Sequence, residues 1–177
     1  MNANEPSDSV QIEFHFSEKY REQVVAENKP DSWIEIAIAV DDMYIYGDNE
    51  GGVTGFACGA VLQFLDSVDL VLAGERYIAE FEYGPTWLAL DPRDENSIYV
   101  SKCMTWTGAN NPEKRLDIDI SRPATKQTWI TEVLETATEF HERVIELNPE
   151  LEDREVLKQI REEIAAAEQS YRGSNLN

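Results

Sequence analysis

Apolar and polar residues alternate along several stretches of the chain, and a period of two is typical of a β-strand with one buried face. The first stretch carries its apolar side chains at Val10, Ile12, Phe14 and Phe16. Strand-like patterns return at 33–40, 43–46, 77–83, 86–91, 97–106 and 116–120. Short turn segments join most of them without a helical crossover, which predicts an antiparallel meander of about six or seven strands.

The spacing of apolar residues changes to steps of three and four after residue 56, which predicts a helix. The stripe consists of Ala57, Val61, Phe64, Leu65, Val68 and Leu72. Thr54 is placed to cap the start of this helix, and Gly74 is placed to end it. Because its apolar arc is wide, we expect it to be the central helix packed against the sheet. The polar segment 17–31 is compatible with either a short helix or a loop.

The last third of the chain has helical spacing in two segments, 130–147 and 149–171, separated by Asn148–Pro149. The complete pattern predicts an α+β fold with a meander sheet, a central helix and a C-terminal helical hairpin. We expect one α+β domain at 9–147, with the helix at 148–172 appended to it. Residues 1–8 and 173–177 are expected to be a disordered lead and a disordered tail.

The charge of the chain is strongly negative, with 35 acidic and 15 basic side chains and a net charge of -20 over 177 residues. Nucleic acids and anionic membranes both require a basic surface, so we expect neither as a partner. The acidic residues are spread along the chain, which is typical of a surface adapted to high salt. An acidic face that captures a basic protein is the alternative, and the two interpretations are compatible. The even distribution favours the salt-adapted surface.

Signals for targeting are missing from the pattern, because the first residues are acidic and no apolar run approaches the length of a membrane span. The cytoplasm is therefore the expected location. The two cysteines, Cys58 and Cys103, do not form a CxxC pair. We expect Cys58 to be a buried reduced thiol, and a Cys58–Cys103 disulfide stays open.

Motifs that would indicate a reaction, a cofactor or a metal are not found. The two histidines, His15 and His141, are far apart in the sequence and belong to no zinc-binding pattern. The segment 48–52 lacks the spacing of a calcium loop, and the glycines at 51–55 are not followed by the lysine of a phosphate-binding loop. We therefore expect no cofactor, no metal and no enzymatic activity.

Aromatic residues are the more informative candidates, because Trp and Tyr dominate the energetics of protein interfaces. Trp106 adjoins a turn-rich segment at 107–114 and is expected to be exposed. Acidic residues on the polar side of the predicted strand 116–120 and tyrosines on the strand 43–46 complete a candidate surface. The candidate partner-binding residues are Trp106, Asn110, Asp117, Asp119, Tyr44 and Tyr46.

The order of elements between Val10 and Leu147 resembles small immunity-like domains of polymorphic toxin systems. The resemblance is carried by Trp33-Ile34-Glu35-Ile36, Phe64-Leu65, Gly74-Glu75, Phe81-Glu82-Tyr83 and Trp87-Leu88. It implies a non-catalytic protein that blocks a partner by occupying it. The second C-terminal helix, 149–171, departs from the layout of those domains.

Three hypotheses about function follow from these observations. The first is a non-enzymatic acidic protein-interaction module that includes the immunity-type inhibitor as a special case. The alternative is a small-molecule-binding or enzymatic domain that uses a cavity between the sheet and the central helix. The third is an assembly role, in which the last helix pairs two copies of the chain as a homodimer.

Overall fold

A computed structural model describes residues 5–174 and Leu176, and within them the chain is an α+β fold with antiparallel sheets, as predicted. The first sheet contains β1 (Val10–His15), β2 (Trp33–Val40), β3 (Met43–Tyr46) and β4 (Val53–Phe56). The second contains β5 (Tyr77–Ala79), β6 (Trp87–Pro92), β7 (Ser97–Cys103) and β8 (Ile120–Thr125). The α-helices are α1 (Glu18–Glu27), α2 (Ala57–Ala73), α3 (Trp106–Asn110), α4 (Lys126–Leu147) and α5 (Glu155–Arg172).

The single meander of six or seven strands was a wrong prediction, because the strands form two sheets of four. In the first sheet β2 pairs with β1 along one side, while β3 and β4 share its other side. The second sheet is a true meander in the order β5-β6-β7-β8. The chain enters α2 directly after β4, so the strands on either side of that helix never become neighbours in one ladder. Isolated bridges join the two parts between Gly55 and Glu82 and, just before β1, between Ser7 and Ala124.

The predicted strand at 116–120 is also wrong, because β8 begins only at Ile120. Residues 116–119 form a turn, and the side chains of Leu116 and Ile118 are 46% and 66% exposed. The alternation of apolar and acidic residues in this segment therefore does not mark a buried strand face.

The core is centred on α2, which packs against α4, α5, β4 and β5. Phe64 of α2 contacts Phe14, Phe81 and Trp129, with ring centroids 6.1, 5.0 and 6.4 Å away. The Nε1–H of the fully buried Trp129 donates to the hydroxyl of Ser67, 3.0 Å away. The space between α2 and its neighbours is thus filled by aromatic side chains, and the buried indole N–H has a partner.

The ends of α2 show one correct and one incorrect prediction. Gly74 ends the helix in the left-handed conformation with φ of 73°, as predicted. The N-terminal cap is not Thr54, which lies in β4. The N-cap residue is Phe56, whose side chain makes no capping hydrogen bond. The carboxylate of Asp31 instead accepts from the N–H groups of Cys58 and Gly59 at 2.9 and 3.2 Å. A residue distant in sequence therefore satisfies the first turn of the helix.

The two C-terminal helices form the predicted hairpin, and α4 also covers the edge of β1. Glu132 accepts from the N–H of Ile12 at 2.7 Å, and the hydroxyl of Thr136 donates to the Ile12 carbonyl at 3.2 Å. Leu157 and Ile160 of α5 are fully buried, and α5 packs against α2 and α4 within the same chain. The apolar face of the last helix is thus occupied inside the protein.

The two chain ends were predicted to be disordered. Residues 1–4, Asn175 and Asn177 of these segments lie outside the described residues. Ser7 is buried, and its backbone pairs with that of Ala124 at the β8 strand. Among residues 5–174 and Leu176, no helix combines the length and apolar character that crossing a bilayer requires.

Candidate functional site

Four of the six predicted partner-binding residues lie together on residues 104–119, which we call the Trp106 loop. This segment contains α3 and a 3-10 turn at Pro112–Lys114, and it connects β7 to β8. Three of its apolar side chains are open to solvent, because Trp106 is 56% exposed and Leu116 and Ile118 are exposed to similar extents. Loops that connect strands are usually polar, so three large exposed apolar side chains on one loop are unusual.

Hydrogen bonds within the Trp106 loop fix its shape. The Asn110 side-chain amide donates to the Trp106 carbonyl at 2.9 Å. The two carboxylate oxygens of Asp119 accept from the N–H groups of Met104 and Leu116 at 2.8 and 2.9 Å. Asn110 and Asp119 therefore position the loop, whereas the exposed Asp117 is the predicted acid that faces solvent.

A cluster of charges around the buried Asp91 anchors the Trp106 loop to the second sheet. Asp91 of β6, whose side chain is 5% exposed, forms ion pairs with both Arg76 and Arg115. Arg115 comes from the loop itself, and it also donates to the Ser101 hydroxyl at 3.0 Å. Arg76 donates to the carbonyl of Asn110 at the end of α3. One carboxylate thus ties the loop to β6 and, through Arg115 and Ser101, to β7.

The surroundings of Arg115 favour its charged form. Burial of the Arg115 guanidinium acts to lower its pKa, but the hydrogen bond and the negative charge of Asp91 outweigh this effect and raise the pKa. Burial also raises the pKa of the neighbouring Cys103 thiol, against the influence of Arg115. Cys103 and Cys58 are both buried free thiols.

The two predicted tyrosines lie on the first sheet, apart from the Trp106 loop. The β2–β3 register shifts between Ile38 and Ala39, so Tyr46 pairs with Ile38 and Tyr44 pairs with Ala39. Tyr46 is 1% exposed and its ring contacts Phe81 in the core. Because the register shift separates them, the two tyrosines do not share a face. Tyr46 therefore does not belong to a binding surface.

A second exposed cluster was missed by the sequence patterns. Trp33, Phe56 and Tyr83, which we call the aromatic platform, are 36%, 48% and 80% exposed. The rings of Trp33 and Phe56 are stacked with centroids 4.1 Å apart, and Tyr83 meets Trp33 edge-on at 5.0 Å. The three residues are far apart in sequence. The overlooked signal is Val53–Phe56, where the sequence predicts the cap of a helix at Thr54 and the structure forms β4.

The backbone brings the aromatic platform together. Trp33 and Phe56 are directly paired across β2 and β4. The N–H of Tyr83 donates to the carbonyl of Thr54 at 2.7 Å, which fastens the third ring beside them. Gly55 permits this approach, because a Cβ at this position would overlap the carbonyl oxygen of Phe81.

Chemical groups that could perform a reaction are not gathered at either surface. In the part of the chain that the structure describes, no group of three His, Cys, Asp or Glu side chains is arranged to hold a metal ion. Burial raises the pKa of Glu132, but this carboxylate is engaged by Ile12 and Thr136 at the edge of β1. Both exposed surfaces present large apolar side chains, which are groups suited to binding.

Comparison with known proteins identifies no relative of this chain. No protein-family model, curated protein or solved structure matches the chain. The Trp106 loop and the aromatic platform are therefore interpreted from their own chemistry.

Proposed function

We propose that this protein is a non-enzymatic interaction module that docks on a basic protein partner through the Trp106 loop. The observation that carries the proposal is the exposure of Trp106, Leu116 and Ile118 on a loop held by the buried Asp91 cluster. Exposed apolar groups of this kind are a cost in water unless a partner covers them.

The rigidity of the Trp106 loop supports binding of a partner. A loop already held in one conformation loses little conformational entropy when it docks, so more of the contact energy remains as affinity. The loop is fixed at both ends of α3, by the Thr105 hydroxyl that accepts from Gly108 N–H at 3.0 Å and by Arg76 on the Asn110 carbonyl. Trp106 also contacts Trp87 edge-on, with centroids 6.1 Å apart.

The charge of the chain supports a basic partner. With a net charge of -20, the protein attracts cationic proteins over a distance that depends on ionic strength. In a salt-adapted cell this attraction is strongly screened, whereas burial of apolar surface is not weakened by salt. The apolar side chains of the Trp106 loop then supply the affinity, and the acidic surface supplies the preference among partners.

An immunity-type inhibitor is the specific form of this module that we favour. Such a protein acts by covering the working surface of its partner, so it needs a rigid docking loop and no catalytic groups. The chain resembles immunity-like domains in the order of its elements, and both the exposure and the rigidity of the Trp106 loop suit that role.

The test uses the proteins encoded by the genes adjacent to this one, purified and titrated by calorimetry at the salt concentration of the source cell. We expect one of them to bind, and Ile118→Ser to weaken that binding by about tenfold or more, the scale of an interface hot spot. Val25→Ser is the matched control, because Val25 is 53% exposed on α1, outside the loop. Equal effects of the two substitutions, or no binding at all, would contradict the proposal.

The inhibitory role has its own readout. Expression of the bound partner alone should reduce growth of a host cell, and co-expression of the wild-type chain should restore it. The Trp106→Ala variant should restore growth less well. A partner that binds tightly but is harmless would exclude the inhibitor and leave the interaction module in place.

A further inference from the structure

We propose that the aromatic platform of Trp33, Phe56 and Tyr83 is a second binding surface, which takes an arginine side chain of a protein partner. This inference goes beyond docking through the Trp106 loop, because the aromatic platform lies on a different part of the fold and has a defined ligand chemistry. The two surfaces are tested independently.

The exposure of the rings is the first argument. Phe56 and Tyr83 are 48% and 80% exposed, yet both contact Trp33. Three touching rings form a continuous surface, which scattered exposed aromatics do not provide. Because Phe56 covers one face of Trp33, the open ring faces are mainly those of Tyr83 and the outer side of Phe56.

The charge around the aromatic platform is the second argument. The segments 31–36, 53–59 and 80–86, which carry the three rings, contain four acidic residues and no lysine or arginine. These acids are Asp31, Glu35, Glu80 and Glu82. Ring faces carry partial negative charge, so rings and carboxylates together favour a cation over a neutral ligand.

The placement of two carboxylates is the third argument. Glu35 lies two residues after Trp33 on the same exposed face of β2. Glu82 immediately precedes Tyr83, and the hydroxyl of Thr86 donates to its carboxylate. Glu35 therefore shares the exposed face that carries Trp33, and Glu82 adds a fixed negative charge on the segment that carries Tyr83.

Arginine fits this arrangement better than lysine. The planar guanidinium stacks on an aromatic ring and still directs its N–H groups sideways to carboxylates. An ammonium group is compact and strongly hydrated, so it gains less from a flat surface. A neutral sugar would gain from the rings but would make no use of the surrounding negative charge.

The experiment titrates the full chain with a capped peptide of four Gly-Arg repeats, followed by two-dimensional NMR. Matched peptides contain lysine or the neutral analogue citrulline in place of arginine. We expect the arginine peptide to bind at least about threefold more tightly than the lysine peptide, and citrulline to abolish binding. The largest shifts should come from the side chains of Trp33 and Tyr83.

The decisive variants leave the charge of the protein unchanged. Phe56→Ser with Tyr83→Ser removes two rings, and it should weaken binding of the arginine peptide by about tenfold. Tyr83→Ser alone should weaken binding of the arginine peptide by a smaller factor. This single variant should fold normally, because the Tyr83 side chain is 80% exposed. Val25→Ser is the control, because Val25 is 53% exposed on α1 and belongs to neither surface, and it should leave the arginine peptide affinity unchanged.

Two results would overturn the inference. If the platform variants bind the arginine peptide as tightly as the wild type, the attraction is only that of a highly acidic surface. If cellohexaose binds at Tyr83 and the peptide does not, the platform is a carbohydrate surface. Neither result affects the proposal for the Trp106 loop, which is tested with different variants and a different ligand.

Discussion

Asp91 and Arg115 form a buried ion pair that connects the second sheet to the Trp106 loop. The side chains are 5% and 14% exposed, and Arg76 supplies a second positive charge on the same carboxylate. A charge in this position is stable only with its partners present, so the loop and the sheet depend on each other. The position of the exposed side chains of the Trp106 loop thus depends on the Asp91–Arg115 ion pair, which is almost inaccessible to solvent.

Asp91→Ala should lower the free energy of unfolding by about 3–5 kcal/mol, because it leaves Arg115 buried without a counter-charge. Urea denaturation measures this loss. Limited digestion with trypsin should also show faster cleavage after the exposed Lys114, which lies in the loop. The control is Asp69→Asn on the exposed side of α2, which should change stability by no more than about 0.5 kcal/mol. A stable Asp91→Ala variant with a protected Lys114 would show that the cluster does not hold the loop.

Glu132→Ala should destabilise the protein by about 1–3 kcal/mol, because it removes the acceptor for the N–H of Ile12. Glu132→Gln keeps a side-chain oxygen at this position, so its loss should be smaller. Chemical denaturation of the two variants at neutral pH distinguishes the hydrogen bond from the charge. Equal losses would mean that the carboxylate charge, and not the acceptor, supports the edge of β1.

The stability of the protein should also depend on pH through the titration of Glu132. Burial raises the pKa of Glu132, so the folded chain binds this proton at a higher pH than the unfolded chain does. Its contribution to stability is therefore largest below the ordinary pKa of glutamate and falls as pH rises through the raised pKa. The difference in stability between wild type and Glu132→Gln should accordingly shift in favour of Gln as the pH increases across that window. A constant difference would contradict this assignment.

Ser67→Ala should cost about 1–3 kcal/mol, because the buried N–H of Trp129 loses its acceptor. A double-mutant cycle with Trp129→Phe isolates the hydrogen bond from the loss of ring volume. In that cycle the Ser67→Ala substitution should be less harmful when Trp129→Phe is already present, because no indole N–H remains. Additive losses would mean that the two side chains act independently.

Gly55→Ala should destabilise the protein by about 1–3 kcal/mol, because the new methyl group meets the carbonyl of Phe81. Separation of β4 from the segment that carries Tyr83 should follow, with loss of the ring contact to Trp33. Gly59→Ala is the control, since its nearest neighbour would be the Cβ of Phe56 at 3.8 Å. In α2 it should stabilise the protein by about 0.5–1 kcal/mol. The denaturation midpoint of Gly55→Ala should therefore be lower than that of the wild type, and the midpoint of Gly59→Ala should be higher.

Much of the fold is predictable from local patterns. The period-two residues of β1 and β2 and the helical stripe of α2 lie where the sequence places them. Gly74 ends α2 because a residue without a side chain adopts left-handed backbone without strain. Pairing between strands is different, because alternation reveals a strand and not its neighbour. Nothing local indicates that β4 returns to β2, and this pairing separates the two sheets.

The candidate site was only partly predictable for the same reason. Trp106 was expected to be exposed because it adjoins a turn-rich segment, and it is. The alternation at 116–120 misled the prediction, because Asp119 holds the backbone of Met104 and Leu116 in a turn. The aromatic platform requires three separate segments to meet, so no window of sequence contains it.

The contacts that β1 and α1 make with the C-terminal third of the chain have a consequence for how the protein folds. Ile12 is secured by Glu132, and the carbonyl of Val24 receives the side-chain amide of Asn148 at 3.0 Å. Both contacts join positions more than a hundred residues apart, 120 and 124 respectively. Ordering such distant segments is slow, because the loop they close is long. During synthesis on the ribosome β1 can pair with β2, but its outer edge stays uncovered until the last third of the chain is made. A nascent chain that stops before Asn148 is therefore expected to be a target for chaperones and proteases.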